Sequence, residues 1–433
     1  MIEASVGLST DYNSLRAGKE AVKLALKDLS GKPNLAIIGI DTCSSKLYNF
    51  EEVLKGIRSE IPDVPLIGGG SVGIIINDDI AIRSVGIMLL SGDFNVIKPQ
   101  IWHRARKNYE QIGQRMIQTY SPYLGQTENE LLLLFASGYR VPSDVLAQQK
   151  RFDSWGARVF SSLVSRVFWN NMKKFAEEGK GFPVTQELID ILVENKINCP
   201  IVGTQVGDLT GEIAYEFFNN QVSYDSIISC LLSSDHVKFG TGFSAGVVCT
   251  GKKFKITKNV GPFLLGINKK KALDGLLEIL GYERDVLKEL GYQGYVNFLS
   301  LMGLSDNGET HPYIAVTNPI YDSIFTVLPP KRVNKNIEIE ICEATGELIL
   351  ESAKDAVKMA KESVKVPKFL IFFDCSGRLS LLGDRIIDEI EIIRKEIGSD
   401  IPIFGFGSSG EIRNSPPGGY HLNNMSIVTI VGG

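Results

Sequence analysis

The sequence predicts an α/β fold of mixed sheets, built from repeated β-α-β-α-β-β units and arranged as two lobes. Three observations predict it. A motif of a polar residue, a small or apolar residue, Pro, two apolar residues and Gly occurs three times, at Asp63–Gly68, Asn198–Gly203 and Asp400–Gly405. Each copy follows a short apolar run and then a segment with apolar residues at helical spacing. Each is followed by a polar turn and a closing run rich in β-branched residues.

The first unit covers about residues 4–94, with a helix expected over about 14–28 and a strand over Leu35–Asp41. Asn49-x-x-Glu52 is a capping box for the next helix, whose residues Phe50, Val53, Leu54, Ile57 and Ile61 share one face. Pro65 then opens a strand, where one missing N–H matters little, and Gly68 marks a tight bend. Asn77-Asp78-Asp79 turns the chain into the closing strand Ser84–Leu90.

The second unit, about 96–234, repeats this order: a helix at 107–119, the strand Leu131–Ser137, a helix through Val184, Leu188 and Ile191, Pro200, the turn Asn219-Asn220 and the strand Ser226–Leu232. It carries an insertion at about 140–182. The third unit, about 336–433, has a helix at 347–363, the strand Phe369–Asp374, a helix through Ile386, Ile390, Ile393 and Ile397, Pro402, the turn Asn423-Asn424 and the strand Ser426–Val431.

Residues 236–335 fit the pattern poorly and read as an irregular segment or a degenerate fourth unit. Strands are expected there at Phe243–Cys249, Phe254–Thr257, Tyr313–Val316 and Ser323–Val327, and helices at Lys270–Leu280 and Arg284–Leu290. The working division is 1–235 and 236–433.

Composition narrows the function. The 433 residues carry 46 basic and 50 acidic side chains, a net charge of −4, which offers no broad attraction for nucleic acid or an anionic membrane. The longest clean apolar runs, such as Leu131–Ala136, fall far short of the roughly 20 residues of a membrane span. The start of the chain shows no signal peptide. The six cysteines are scattered without a Cys-x-x-Cys pair, so a reduced, cytoplasmic protein is expected, with no metal site. Glycine is frequent, 43 of 433, with no linker or Gly-X-Y period to hold it, which points to particular bends.

Two Gly-x-Gly-x-x-Gly matches, Gly68–Gly73 and Gly405–Gly410, imitate nucleotide loops. A dinucleotide site needs such a loop to open a helix. The first runs into Ile74-Ile75-Ile76 and the second into Arg413-Asn414-Ser415-Pro416-Pro417, so both read as turns.

The third unit carries Phe372-Phe373-Asp374-Cys375-Ser376-Gly377-Arg378, then Gly405-Phe406-Gly407-Ser408-Ser409-Gly410-Glu411-Ile412, then His421-Leu422-Asn423-Asn424. This series resembles the C-terminal half of FIST-domain proteins (F-box and intracellular signal transduction). Residues 1–235 resemble the N-terminal half, through Pro65-Leu66-Ile67-Gly68-Gly69, Gly73, Leu131–Gly138 and Phe217–Val222. The resemblance implies a sensory module that binds a small molecule such as an amino acid, and some bacterial members resemble haem-binding gas sensors. The chain departs from the family at Ile74, where many members carry an acidic residue after Gly, and at 313–327, which lacks the arginine expected between its strands.

The candidate ligand-binding residues are Cys375, Gly377, Arg378, Gly410, Glu411, Asn423, Asp41 and Cys43. Ligands of open α/β sheets favour the carboxyl ends of strands, where Asp41, Cys43, Cys375 and Arg378 fall. A guanidinium grips a carboxylate in bidentate fashion, and Glu411 can accept from an amine. The reading is a cytoplasmic, non-enzymatic sensor of an amino-acid-like or organic-acid metabolite. With no output segment recognised in the chain, it signals through a separate protein, for which the aromatic and basic insertion 140–182 is the candidate surface. Three other readings stay open: an enzyme with Cys375 as nucleophile, an interaction or assembly module, and a haem sensor, for which His103 is the least implausible ligand. No cofactor is required by the sequence.

Overall fold

The computed structural model describes residues 2–42, 48–140, 161–207, 214–283, 285, 299–306, 309–318, 323–326, 337–414 and 421–433. In chain order, its first elements are β1 (Ile2–Ser9), α1 (Ser14–Lys27), β2 (Leu35–Asp41), α2 (Phe50–Arg58), β3 (Leu66–Ser71), β4 (Ile74–Ile76), β5 (Asp79–Ala81) and β6 (Val85–Gly92). Then come β7 (Asn95–His103), α3 (Ala105–Tyr120), β8 (Asn129–Ser137), α4 (Ser161–Phe175), α5 (Thr185–Glu194), β9 (Ile201–Val206), β10 (Glu216–Phe218), β11 (Gln221–Ser223) and β12 (Ser226–Ser234). Next are β13 (Phe239–Ala245), β14 (Val248–Val260), β15 (Phe263–Ile267), β16 (Lys270–Lys271), α6 (Ala272–Leu280), β17 (Leu299–Asp306), β18 (Glu309–Asn318), β19 (Ser323–Thr326) and β20 (Glu338–Glu343). The chain closes with α7 (Gly346–Lys361), β21 (Phe369–Cys375), α8 (Ser376–Leu382), α9 (Ile386–Ile397), β22 (Ile403–Ser408), β23 (Glu411–Arg413), β24 (Leu422–Asn423) and β25 (Ser426–Gly432). The fold class is the expected one, α/β with mixed sheets.

The chain forms two compact units. One gathers residues 1–140, 182–246 and 346–433, and the other residues 141–181 and 247–345. These do not follow a cut after residue 235, because the second unit is inserted into the first.

The first unit holds three six-stranded sheets with one strand pattern: β1-β6-β2-β3-β10-β11, β7-β12-β8-β9-β23-β24 and β13-β25-β21-β22-β4-β5. Each has one parallel pair (β2–β3, β8–β9, β21–β22) within antiparallel neighbours. The last two strands of each sheet are a hairpin from elsewhere in the chain. The hairpin that follows β3 joins the third sheet, that following β9 joins the first, and that following β22 joins the second. The exchange is cyclic and closes on itself.

An asparagine clips each hairpin to its host. Asn219 Oδ1 accepts from the Leu66 N–H (3.1 Å), Asn414 Oδ1 from Ile201 (3.0 Å) and Asn77 Oδ1 from Ile403 (3.2 Å). These N–H groups open β3, β9 and β22, one residue after the motif prolines. The third polar turn is therefore placed differently from the expectation. Asn77 and Asn219 sit in hairpin turns in the left-handed region (φ 55° and 51°), but their counterpart is Asn414, not Asn423. Asn423 lies in β24, opposite Glu411.

The inner faces of the three sheets share one core. Phe135, Phe373 and Phe406 meet there with ring centroids 5.4–5.9 Å apart. Such pairing adds to the ~1.5–3 kcal/mol of burying each ring. Helices cover the outer faces: α1 and α2 on the first sheet, α3 and α5 on the second, α7 and α9 on the third. Asn13 and Asn49 cap α1 and α2 by accepting from the N–H groups of Arg16 and Glu52.

The third sheet corrects the expected start of its unit. β13 pairs with β25 as β1 pairs with β6, so that unit opens at Phe239 and not near 336. Gly240 and Gly242 let α7 approach β13: a Cβ at either would lie 1.9 Å from the carbonyl of Ala360 or Ala356. Residues 247–345 are an insertion after this strand and not a fourth unit of the same kind. The expected strand Phe243–Cys249 divides accordingly between β13 and β14.

In the second unit, the order β14-β20-β17-β18-β19-β15 is closed by a further β14–β15 pairing, and every described pair is antiparallel. The result is a six-stranded barrel, an arrangement that removes open edges. β16 pairs antiparallel with the end of β15, α6 packs on β15 and β19, and Trp169 of α4 packs on Gly261. Of the expected helix Arg284–Leu290, all but Asp285 lies outside the described residues.

Candidate functional site

The carboxyl ends of β21 and β22 meet the first residues of β23 and β25. Cys375 ends β21 beside Ser408, the last residue of β22. Glu411 opens β23 and faces Thr204 of β9 on one side and Asn423 on the other. The Glu411 carboxyl is fully buried, and its Oε2 accepts from the Ser426 hydroxyl at 2.7 Å. Burial pushes its pKa up to about 8, against the pull of the Ser426 and Ser408 hydroxyls and the Arg378 cation. Ser408 lies close by, but its hydroxyl donates to the Gly410 carbonyl (2.8 Å).

A carboxyl pushed up this far favours its protonated form around neutral pH, in which it donates as well as accepts. Among the described residues, Glu411 Oε1 and both side-chain amide atoms of Asn423 have no hydrogen-bond partner. Asn423 is also fully buried. Buried polar groups are nearly always satisfied, so three orphaned atoms on two facing residues set this corner apart.

Of the expected site residues, Cys375, Glu411, Gly410 and Asn423 are brought to this corner. Gly410 fits without a side chain: a Cβ would lie 2.8 Å from Gln205 Oε1. Gly377, half-buried, lies in the first turn of α8. Cys375 is buried, and burial above all pushes its thiol well up. Arg378 is close enough to act on Glu411, but it does not present a free guanidinium. Its Nε donates to Asp374 (2.6 Å), and its terminal nitrogens donate to Ser352 Oγ (2.6 Å), the Ile349 carbonyl (3.1 Å) and Glu389. Arg378 and both carboxylates are buried. This ion cluster ties β21 and α8 to α7 and α9, which corrects the expectation that Arg378 grips a ligand carboxylate.

The equivalent corner of the second sheet escaped the sequence reading. Glu216 opens β10, is fully buried, and is pushed up to about 8 by burial, opposed first by Arg106. Its Oε2 accepts from the Ser226 hydroxyl (3.1 Å), as Glu411 accepts from Ser426. Arg106, also buried, donates to Asp225 (2.9 Å), Ser137 (3.2 Å) and the Gly138 carbonyl. The signal was present: Glu216 and Glu411 each precede the hairpin asparagine by three residues. The insertion and the misplaced third turn hid the alignment.

The first sheet has Ile74 at this position. Its corner is held by Asp41, which accepts from the N–H groups of Gly73 (3.2 Å) and Arg83 (2.5 Å). By strand register, Asp41 and Ser137 are the counterparts of Cys375. Cys43 lies outside the described residues, as do 141–160 of the expected partner surface. His103 is exposed, with Nδ1 3.3 Å from the Ser223 hydroxyl. A strand follows both Gly-x-Gly-x-x-Gly loops. The described surface clefts lie away from this corner. The cleft of about 590 Å³ is lined by Ser121–Glu130 and Lys196–Pro200, at the opposite ends of β8 and β9.

Three mixed sheets joined by exchanged hairpins, with buried carboxyl–serine pairs at two of the three strand-to-hairpin corners, define an α/β protein with duplicated polar corners. The chain belongs to the FIST family: the FIST N domain model matches residues 35–270 and the FIST C domain model residues 272–414. FIST domains are associated with signal transduction and sensing. No curated protein matches the chain. No described helix is long and apolar enough to cross a membrane.

Proposed function

We propose that the protein is a ligand-binding sensor whose small polar ligand is held by Glu411 and Asn423. The orphaned, fully buried atoms of these two residues carry the reading. A protonated Glu411 donates to a carbonyl or carboxylate oxygen of the ligand. The Asn423 amide complements one donor and one acceptor. An amino acid, an amide or a hydroxy acid meets both demands, and the Arg378 cluster fixes the strand that carries Cys375. Burial pushes the Cys375 thiol up, which makes it a poor nucleophile and favours a binding role over the cysteine-enzyme reading. The output passes to a separate protein.

Thermal denaturation against a panel of amino acids and organic acids tests this. A binder raises the midpoint with concentration. The shift is expected to disappear in Asn423→Ala and to shrink in Glu411→Gln. A panel without hits, or hits indifferent to both substitutions, would overturn it.

A further inference from the structure

Cys249 of β14 and Cys342 of β20 are direct cross-strand partners in the barrel unit, with sulfurs 3.2 Å apart. No other described cysteines are in contact. Facing residues of antiparallel strands have Cα atoms about 4.5–5.5 Å apart, within the range a disulfide spans. Joining the two sulfurs therefore asks for side-chain rotation and no movement of either strand.

Position adds to geometry. β14 and β20 are the first and last strands of the inserted segment, and the two cysteines are 93 residues apart in sequence. The β14–β20 register slips between Cys249 and Lys253, so the cysteines lie on the short end of an interrupted ladder. A covalent bond there closes a long loop beside an interruption in the paired ladder, and long loops gain most from closure.

We propose that Cys249 and Cys342 form a reversible disulfide, driven by a low-molecular-weight disulfide such as oxidised glutathione, that staples the barrel unit at its two ends. The partly exposed Cys249 attacks as thiolate. One glutathione thiolate leaves, and a mixed disulfide remains on Cys249. The Cys342 thiolate then attacks the Cys249 sulfur, the protein disulfide forms, and the second glutathione leaves. The two protein thiols lose two electrons and two protons, and the small disulfide takes them up as two thiols. In the reduced pair, burial, then the neighbouring Cys249 and Glu340, push the Cys342 thiol up, so the partly exposed Cys249 is the one that reacts first.

The test incubates the full-length protein with oxidised glutathione, then counts thiols after denaturation and maps peptides without reduction. The expected result is loss of two of the six thiols, a Cys249–Cys342 cross-link without retained glutathione, and full reversal by dithiothreitol. Cys249→Ser and Cys342→Ser each abolish the cross-link, whereas Cys375→Ser leaves it intact. The oxidised wild type unfolds at a higher temperature than the reduced form, and the double serine variant shows no such difference. A lasting glutathione adduct on Cys249, a cross-link to another cysteine, or six intact thiols would overturn the proposal. Cross-linking without any rise in midpoint would overturn the stapling role.

Discussion

Arg378 and Glu411 play different roles, although the sequence groups them together. Arg378 pairs with both Asp374 and Glu389 inside the core, with four hydrogen bonds and no exposure. Arg378→Met leaves two buried carboxyls without their cation and is expected to cost about 3–5 kcal/mol in urea unfolding. Arg378→Lys recovers little, because one ammonium cannot reproduce the fork. Glu411 and Glu216 are the opposite case, held near pKa 8 in the folded state. Between the ordinary carboxyl value and about 8, the folded protein holds protons that the unfolded chain releases. Stability is therefore fullest at low pH within this range and falls as pH rises through it, by at most about 1.4 kcal/mol per pH unit for each group. Glu411→Gln is expected to flatten that slope between pH 5.5 and 8.5 by one group's share, measured by chemical denaturation at a series of pH values. The motif revealed that Arg378 and Glu411 matter. It did not reveal what Arg378 does, because Ser352 and Glu389 reach it from helices 26 and 11 residues away.

The exchanged hairpins rest on three asparagines in corresponding turns. Asn219 Oδ1 accepts from both the Leu66 N–H and the Arg58 guanidinium (2.9 Å). Asn219→Ala leaves a buried N–H unsatisfied and is expected to destabilise by about 1–3 kcal/mol, with hydrogen exchange accelerated at Leu66 before the rest of β3. Asn77→Ala and Asn414→Ala should behave alike. The strands and helices of each unit were legible because their periodicities are local. The hairpin destinations were not, since a three-residue strand records nothing of which sheet receives it. Asn414 was passed over for Asn423-Asn424, which do lead into a bend at Asn424–Met425 before β25, whereas Asn423 itself faces Glu411 within a ladder.

At the scale of the molecule, cyclic exchange makes the first unit indivisible. A fragment ending at residue 235 lacks β23 and β24 for its second sheet, and its own β4–β5 hairpin has no third sheet to join. Fragments 1–235 and 236–433 are expected to be unfolded or aggregated separately, and to recover native circular dichroism only when co-expressed. The barrel insertion is different. Gly246 and Ile349 lie in contact, so the ends of the excised segment are already close. Replacing 247–345 by a short Gly/Ser linker should leave the first unit folded, by near-ultraviolet circular dichroism and a cooperative melt. The long insertion also explains why the third unit's first strand was missed: a hundred residues separate β13 from the helix that covers it. The central claim concerns the third-sheet corner that this ring builds. A high-resolution crystal structure of the protein soaked with the tightest stabilising compound tests it most directly. The account predicts density for the compound within hydrogen-bond reach of Glu411 Oε1 and the Asn423 amide. A compound bound elsewhere, with those atoms satisfied by the protein itself, would contradict it.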